Sequence, residues 1–392
     1  MNSLSAANTR FAFDLFQQFK TSKKDDNIFY SPLSISSALA MTYLGAKENT
    51  ALEMEKVALD LIVYMGLVFI FTLTENVENL GNVHHQFQKL LTELKKPTDA
   101  YELNIANKLY GEKNFQFLQE YMDNIKKFYL TTVESVDFNN AAEETRKKIN
   151  SWVESQTHGR NLFPKDSLTS TILVLVNAVY FKGQWDTKFD KKNTVEKEFW
   201  LNKVLKPVQM MKQYDVFKFS SLEGMQAKIL EIPYKGKDLS MILLLPDEVD
   251  ESFGASLLRL EDQLTAEKLI EWTSSQNMSN NFVDLYLPRF KLEETYDLKD
   301  TLRALGMVDV FNAQTANLSG MTGNENLLVS KVIHKSFVEV TEEGTTAASS
   351  TAVDFQMKSS PAYPFHCDHP FLFFIKHNKT NSILFLGRVS SP

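Results

Sequence analysis

His366, Cys367, Asp368 and His369 stand in a row near the C-terminus, three residue types that bind metals and one that can act as a nucleophile. A zinc site needs three or four such groups converging on one point, and a cysteine nucleophile needs a base within hydrogen-bond reach. The surrounding run PFHCDHPFLFFI reads as the start of a strand, so His366 and Asp368 point to one face and Cys367 and His369 to the other. No face then offers three ligands, and neither a metal nor another cofactor is expected. The sequence also lacks a glycine-rich phosphate loop and a GxSxG elbow, which removes the commonest signatures of nucleotide and acyl-transfer chemistry.

A second stretch, just before that row, has a different kind of chemistry. Residues 342–365 read EEGTTAASSTAVDFQMKSSPAYPF, between VIHKSFVEV, which alternates as a strand, and the strand beginning near Pro364. A connection of about twenty residues without structure of its own is unusual in a compact domain and usually belongs to a functional loop. Gly344 offers a hinge, and the eight residues from Thr345 to Ala352 are all small. Were this segment to pair within a sheet, Thr345, Ala347, Ser349, Thr351 and Val353 would share one face, none of them charged, while Asp354 would face solvent.

The remaining sequence must position these stretches. Of 392 residues, 43% are hydrophobic and 12% aromatic, enough apolar surface for a large core. The net charge of −7, with Lys and Arg scattered among acids, argues against a nucleic-acid partner. Lys89, Lys95 and Lys96 are too few for a polyanion site. A lone Cys367 cannot form an internal disulfide, which fits a reducing compartment. The opening MNSLSAANTRFAFDLFQQFK lacks the basic flank and apolar run of a cleavable leader; Ala12, Leu15, Phe16 and Phe19 instead mark one face of a helix.

The first half reads as mostly helical. SPLSISSALAMTYLG carries Ser31 and Pro32 at a helix start and Gly45 at its stop, and helical spacing recurs in VHHQFQKLLTELKK, LQEYMDNIKKFYL and AEETRKKINSWVESQT. From residue 171 the texture changes to apolar or alternating runs broken by turns: TILVLVNAVYFKGQW, AKILEIPYKGKDLSMILLLP, FVDLYLPRF and PFLFFIKHNKTNSILFLGRV. No linker or repeat divides the two halves, so a single α+β domain over 1–392 is expected, helices covering sheets. The apolar run from Leu61 to Leu73 is shorter than the roughly 20 residues a spanning helix needs. It reads as a buried or interfacial segment, or as the trace of a misread splice junction. Sequons stand at Asn277, Asn317 and Asn378.

Five long motifs, NIFYSPLSISSAL, LVNAVYFKGQW, LPRFKLEETYDLKDTLRALGM, EEGTTAASSTA and DHPFLFFIKHNKTNSILFLGRV, occur in this order along the chain. Together they resemble the serpin family over essentially the whole sequence, and within it the intracellular, ovalbumin-like branch that includes the squamous cell carcinoma antigens. The resemblance implies a metastable fold of three sheets and eight or nine helices, with residues 343–364 as an exposed reactive loop. A protease that attacks the loop would be trapped as its acyl-enzyme when the cleaved loop inserts into the central sheet before the ester hydrolyses.

The family's spacing from Gly344 places the scissile bond between Lys358 and Ser359, with Met357 and Ser359 as one-residue alternatives for the residue before the bond. The hinge would then be Gly344, Thr345, Ala347, Ala348 and Ser349. A lysine suits trypsin-like serine proteases, and papain-like cysteine proteases stay open as further targets because relatives in the branch act on both classes. The resemblance also assigns Ser31, Ser34, Asn177 and His334 to a hydrogen-bonded shutter beneath the central sheet, and Trp185, Arg289 and Glu342 to the breach where the loop first inserts. A plain strand histidine at His334 and a surface ion pair between Arg289 and Glu342 are the simpler alternatives. A monomer is implied, not an enzyme, working in the cytoplasm or released without a cleaved leader. The competing function is a serpin that has lost inhibition and binds or stores; the small, uncharged hinge favours inhibition.

Overall fold

The computed structural model describes residues 3–59, 76–158, 162–201, 204–247, 253–274, 276–324, 326–343 and 361–392. The apolar run 61–73, and loop positions Gly344, Thr345, Ala347, Ala348, Ser349, Lys358 and Ser359, lie outside them.

Helix α1 spans Ser3–Lys23 and buries Phe11, Ala12, Leu15, Phe16 and Phe19 along one side, the stripe expected from their spacing. After the short strand β1 (Ile28–Tyr30), helix α2 (Pro32–Tyr43) starts at Ser31, whose hydroxyl accepts from the Ser34 N–H, with Pro32 in the first turn. All twelve of its residues are buried, so α2 is a core element rather than a surface helix. Gly45 follows for want of space: a Cβ there would collide with Met321, and Gly320 packs against the Gly45 backbone.

Further helices are α3 (Glu48–Met54), α4 (Asn76–Leu94), α5 (Gln119–Tyr129), α6 (Ala142–Thr157), α7 (Phe253–Gln263), α8 (Ala266–Trp272), α9 (Lys299–Ala304) and the four-residue α10 (Ser319–Thr322). The mostly helical reading of the first half needs correction. Strands β2 (Tyr101–Glu112) and β3 (Val133–Val136) fall there, with β2 carrying polar residues whose partners come from other elements.

One sheet has five strands in the order β10-β11-β4-β2-β3, where β4 is Leu173–Gly183, β10 Phe290–Asp297 and β11 Lys331–Val340. Strand β11 runs antiparallel to β10 and parallel to β4. The second sheet has nine strands and takes in β5 (Val195–Leu201), β6 (Val204–Leu222), β7 (Ala227–Pro233), β8 (Leu239–Pro246), β9 (Ser279–Pro288), β12 (Tyr363–His366), β13 (Phe371–His377) and β14 (Ser382–Val389) besides β1. Three sheets were expected; the ladders run as two because the 19-residue β6 pairs in turn with β5, β9 and β7, joining in one ladder what would otherwise be two sheets.

The main core lies between the sheets, where Phe181 of β4 meets Phe385 of β14 and Phe29 of β1 stacks on Phe385. A second apolar cluster lies on the other face of the five-stranded sheet, where Ile149 and Val153 of α6 cover Tyr110, Val174, Val176, Ala178 and Ile333. The sheet is therefore buried on both faces, as its near-continuous apolar β4 requires. Among the described residues no helix is long and apolar enough to cross a membrane.

Candidate functional site

The parallel pairing of β11 with β4 is the feature around which the predicted residues gather. It runs through eight register pairs, from Lys331 opposite Val174 to Val338 opposite Phe181. His334 lies directly opposite Asn177, and Asn177 lies opposite Asn107 of β2. Facing residues on adjacent strands share a side of the sheet, so three polar side chains form a row across β11, β4 and β2.

That row is closed by hydrogen bonds. His334 Nδ1 meets Asn177 Oδ1, while the Ser31 backbone N–H donates to His334 Nε2 at 3.1 Å. The amide N–H can only donate and the Asn177 carbonyl only accept, which fixes His334 as the tautomer with its proton on Nδ1. Burial pushes the imidazole pKa down to about 3, so the ring is neutral. Asn177 Nδ2 donates to Asn107 Oδ1 and to Ser34 Oγ, Asn107 Nδ2 to Ser37 Oγ at 2.7 Å, and Ser37 Oγ to the Ser34 carbonyl at 3.0 Å. Ser31 Oγ donates to Leu384 O at 2.6 Å. The β13–β14 register steps from Ile375 opposite Phe385 to Lys376 opposite Ile383, so Leu384 is the extra residue of a bulge and its carbonyl is available.

Ser31, Ser34, Asn177 and His334 therefore form one buried network, and His334 is more than an isolated strand histidine. Asn107 and Ser37 belong to the same network and were missed. The signal was a buried asparagine in the strand YELNIANKLYGE, readable only once the register is known.

Above this row the pairing is held by three further contacts. Tyr180 of β4 stacks on Phe337 of β11 with centroids 5.0 Å apart, Lys182 pairs with Glu339 at 3.2 Å, and Trp185 Nε1 donates to Thr341 O at 2.9 Å. Trp185 is buried and stacks on Tyr234 at 4.6 Å. The Glu342 side chain is only 4% exposed and accepts from Thr194 Oγ1 at 2.7 Å, with Arg289 Nε at 3.4 Å. Arg289 is half exposed, so the pair joins a surface cation to a buried carboxylate and is not an ordinary surface pair. Glu343, the last described residue before the loop, pairs with Lys191 at 3.4 Å.

The row His366 to His369 does not converge. His366 faces Asp284 at 3.5 Å, while His369 bonds Pro246 O and Asp368 Oδ1, both at 2.8 Å. Cys367 is fully buried, and burial followed by the Asp368 charge drives its thiol pKa far up, the opposite of a nucleophile's setting. Of the three sequon asparagines, Asn317 and Asn378 spend their amides on Glu48 and on Lys237 O and Ser240, and Asn277 is exposed.

A family model described as serpin (serine protease inhibitor) matches residues 6–392. Human Serpin B3 is 63% identical over 403 residues and human Serpin B4 64% identical over 402, each alignment covering 100% of both chains. Uncleaved ovalbumin matches the structure with a TM-score of 0.87 at 39% identity, also with 100% of both chains covered. An unbroken match of this length, joined to the closed parallel pairing of β11 with β4, places the chain in the serpin family, in its ovalbumin-like branch.

Proposed function

We propose that this chain is a suicide-substrate inhibitor of trypsin-like serine proteases, with Lys358–Ser359 as the bait bond and papain-like cysteine proteases as further targets. The observation that carries the reading is the β11–β4 pairing, closed while β11 leads at Val340 towards the segment 344–360 and the chain returns at β12. A cleaved segment folding back from β11 would run antiparallel to both β11 and β4. It would replace one parallel ladder by two antiparallel ones, which are more stable per residue and add a full strand of hydrogen bonds. From Thr345 to Lys358 the strand would reach about 46 Å at about 3.3 Å per residue.

The chemistry belongs to the protease. Its serine or thiol attacks the Lys358 carbonyl, the Ser359 amine leaves, and an ester or thioester joins Lys358 to the enzyme. Insertion must outrun hydrolysis of that bond. The residues that part are His334 from Asn177, Lys182 from Glu339, and Trp185 from Thr341, so the shutter and breach set the rate of opening. Gly344, Thr345, Ala347, Ala348 and Ser349 enter first, and their small uncharged side chains suit a sheet buried on both faces. The partner is the protease, met by a monomer in the cytoplasm or after release.

Incubation with trypsin, followed by denaturing electrophoresis and mass spectrometry of the released C-terminal peptide, tests this. A boiling-resistant band at the summed mass, with a peptide beginning at Ser359, is the expected result. Cleavage there without the band would overturn inhibition in favour of a substrate loop.

A further inference from the structure

On the nine-stranded sheet, away from the β11–β4 pairing, a cleft of about 590 Å³ opens where β6 leaves β9 and begins to pair with β7. Lys218 of β6 lies opposite Glu231 of β7, and Ser240 of β8 lies opposite Lys376 of β13, so all four face the same side. The bulge at Leu384 falls beside Lys376, a position where bulges re-aim side chains.

Glu231 is buried and has Lys218 Nζ at 3.4 Å. Lys376 is half-buried, and among the described residues no carboxylate lies within 4.0 Å of its ammonium. The acids at the rim are occupied elsewhere: Asp186 pairs with Lys237 at 3.5 Å, and Asp215 accepts from the Val216 N–H at 2.7 Å. Two cations thus face one buried carboxylate, leaving a single positive charge without an anion inside a partly desolvated cleft. Burial and the Lys218 charge push the Lys376 pKa down and Glu231 only partly opposes them, the electrostatic sign of that excess. Phe217, Ile232 and Pro233 supply apolar walls beside it.

We infer that this cleft is a binding site for a small organic carboxylate, its anionic group seated on Lys376 and Lys218 and its carbon skeleton against the Phe217–Ile232–Pro233 wall. An anion there completes an alternating set of charges with Lys218, Glu231 and Lys376. A single missing charge and apolar walls fit a carboxylate better than a phosphate. The site is independent of the loop and stands whether or not the loop is bait.

Competitive amine labelling of the full chain tests it, with succinate as the probe. At mildly alkaline pH, trace acetic anhydride should acetylate Lys376 faster than the exposed Lys147, because the uncharged amine is the reactive form. Succinate at tens of millimolar should slow labelling of Lys376 roughly ten-fold, corresponding to about 1.4 kcal/mol, while chloride at equal ionic strength should not. In Lys218→Met, a surface-side substitution, that protection should weaken several-fold while labelling of Lys147 is unchanged. Equal slowing by chloride would reduce the effect to screening and overturn the site, as would no protection at any succinate concentration. Stronger protection by inorganic phosphate than by succinate would overturn the carboxylate assignment.

Discussion

If the hydrogen bond between His334 and Asn177 clasps β11 to β4, removing it from either side should loosen that pairing before anything else. Asn177→Ala strands the His334 Nδ1–H and the Asn107 Oδ1, both buried. At about 1–3 kcal/mol for each stranded group the cost is about 2–6 kcal/mol, with about 3 kcal/mol as a working value. For a chain of 392 residues, an unfolding entropy of about 2.1 cal/mol/K per residue makes that a fall of about 4 °C in the melting midpoint. His334→Ala breaks the same bond and strands the Asn177 Oδ1 and the Ser31 N–H instead. The double variant loses the bond only once, so its cost should fall short of the sum of the singles by about 1 kcal/mol or more. Amide exchange locates the effect. In the single variants the β11 and β4 amides that face each other should exchange about a hundredfold faster, and those between β10 and β11 much less so. Additivity within about 0.5 kcal/mol, or uniform acceleration through the five-stranded sheet, would refute the idea that the bond is a clasp across this one pairing.

Stability should fall in mild acid. Burial holds His84 at about 4, with the neighbouring His85 adding to it, and His334 at about 3, while both titrate near 6.5 once unfolded. The unfolded chain therefore takes up protons below about pH 6.5 that the folded chain refuses until its own values are reached, a slope approaching about 2.7 kcal/mol per pH unit for the two together. Urea midpoints at pH 7.5, 6 and 5 measure this slope, which His84→Gln should roughly halve. Arg388→Met should cost about 3–5 kcal/mol by leaving Glu261 buried without its cation, 3.1 Å away in a pair only 2% and 0% exposed; adding Glu261→Met should restore most of it, and urea titration of both variants decides. Thr345→Arg should turn the inhibitor into a substrate, because a charge would enter the sheet at the first step of insertion; a stable complex with trypsin from this variant would contradict the insertion mechanism.

Elements built from local signals were readable in the sequence. Ser31, Pro32 and Gly45 bracketed α2 to within two residues, and the apolar runs of β13 and β14 flanked their turn. Strand β2 escaped because its polar residues hide the alternation. Asn104 bonds Gln156 O of α6, Asn107 bonds Ser37, and Lys108 pairs with Glu134 of β3. All three partners are remote in sequence, so nothing local announces that these side chains are satisfied. The same limit applies to the site. Ser31, Ser34, Asn177 and His334 were assigned by family resemblance, and only the strand register shows that Asn107 completes their row. The burial of Glu342 likewise depends on Thr194 and Arg289 arriving from other strands.

The β11–β4 pairing also bears on how the chain is made. His334 and Asn177 are 157 residues apart, so closing this pairing must overcome the entropy of a very long loop, whereas the segment 344–360 needs only a short turn to fold back on β11. At equilibrium chain entropy favours the local hairpin. Synthesis from the N-terminus reverses that advantage, because β4 is already outside the ribosome when β11 emerges, and the segment that would displace it is still in the exit tunnel. Translation order then serves as a template for the closed sheet. Denatured full-length chain, released with all its strands available at once, should return a smaller fraction of closed-sheet molecules than the same chain made residue by residue.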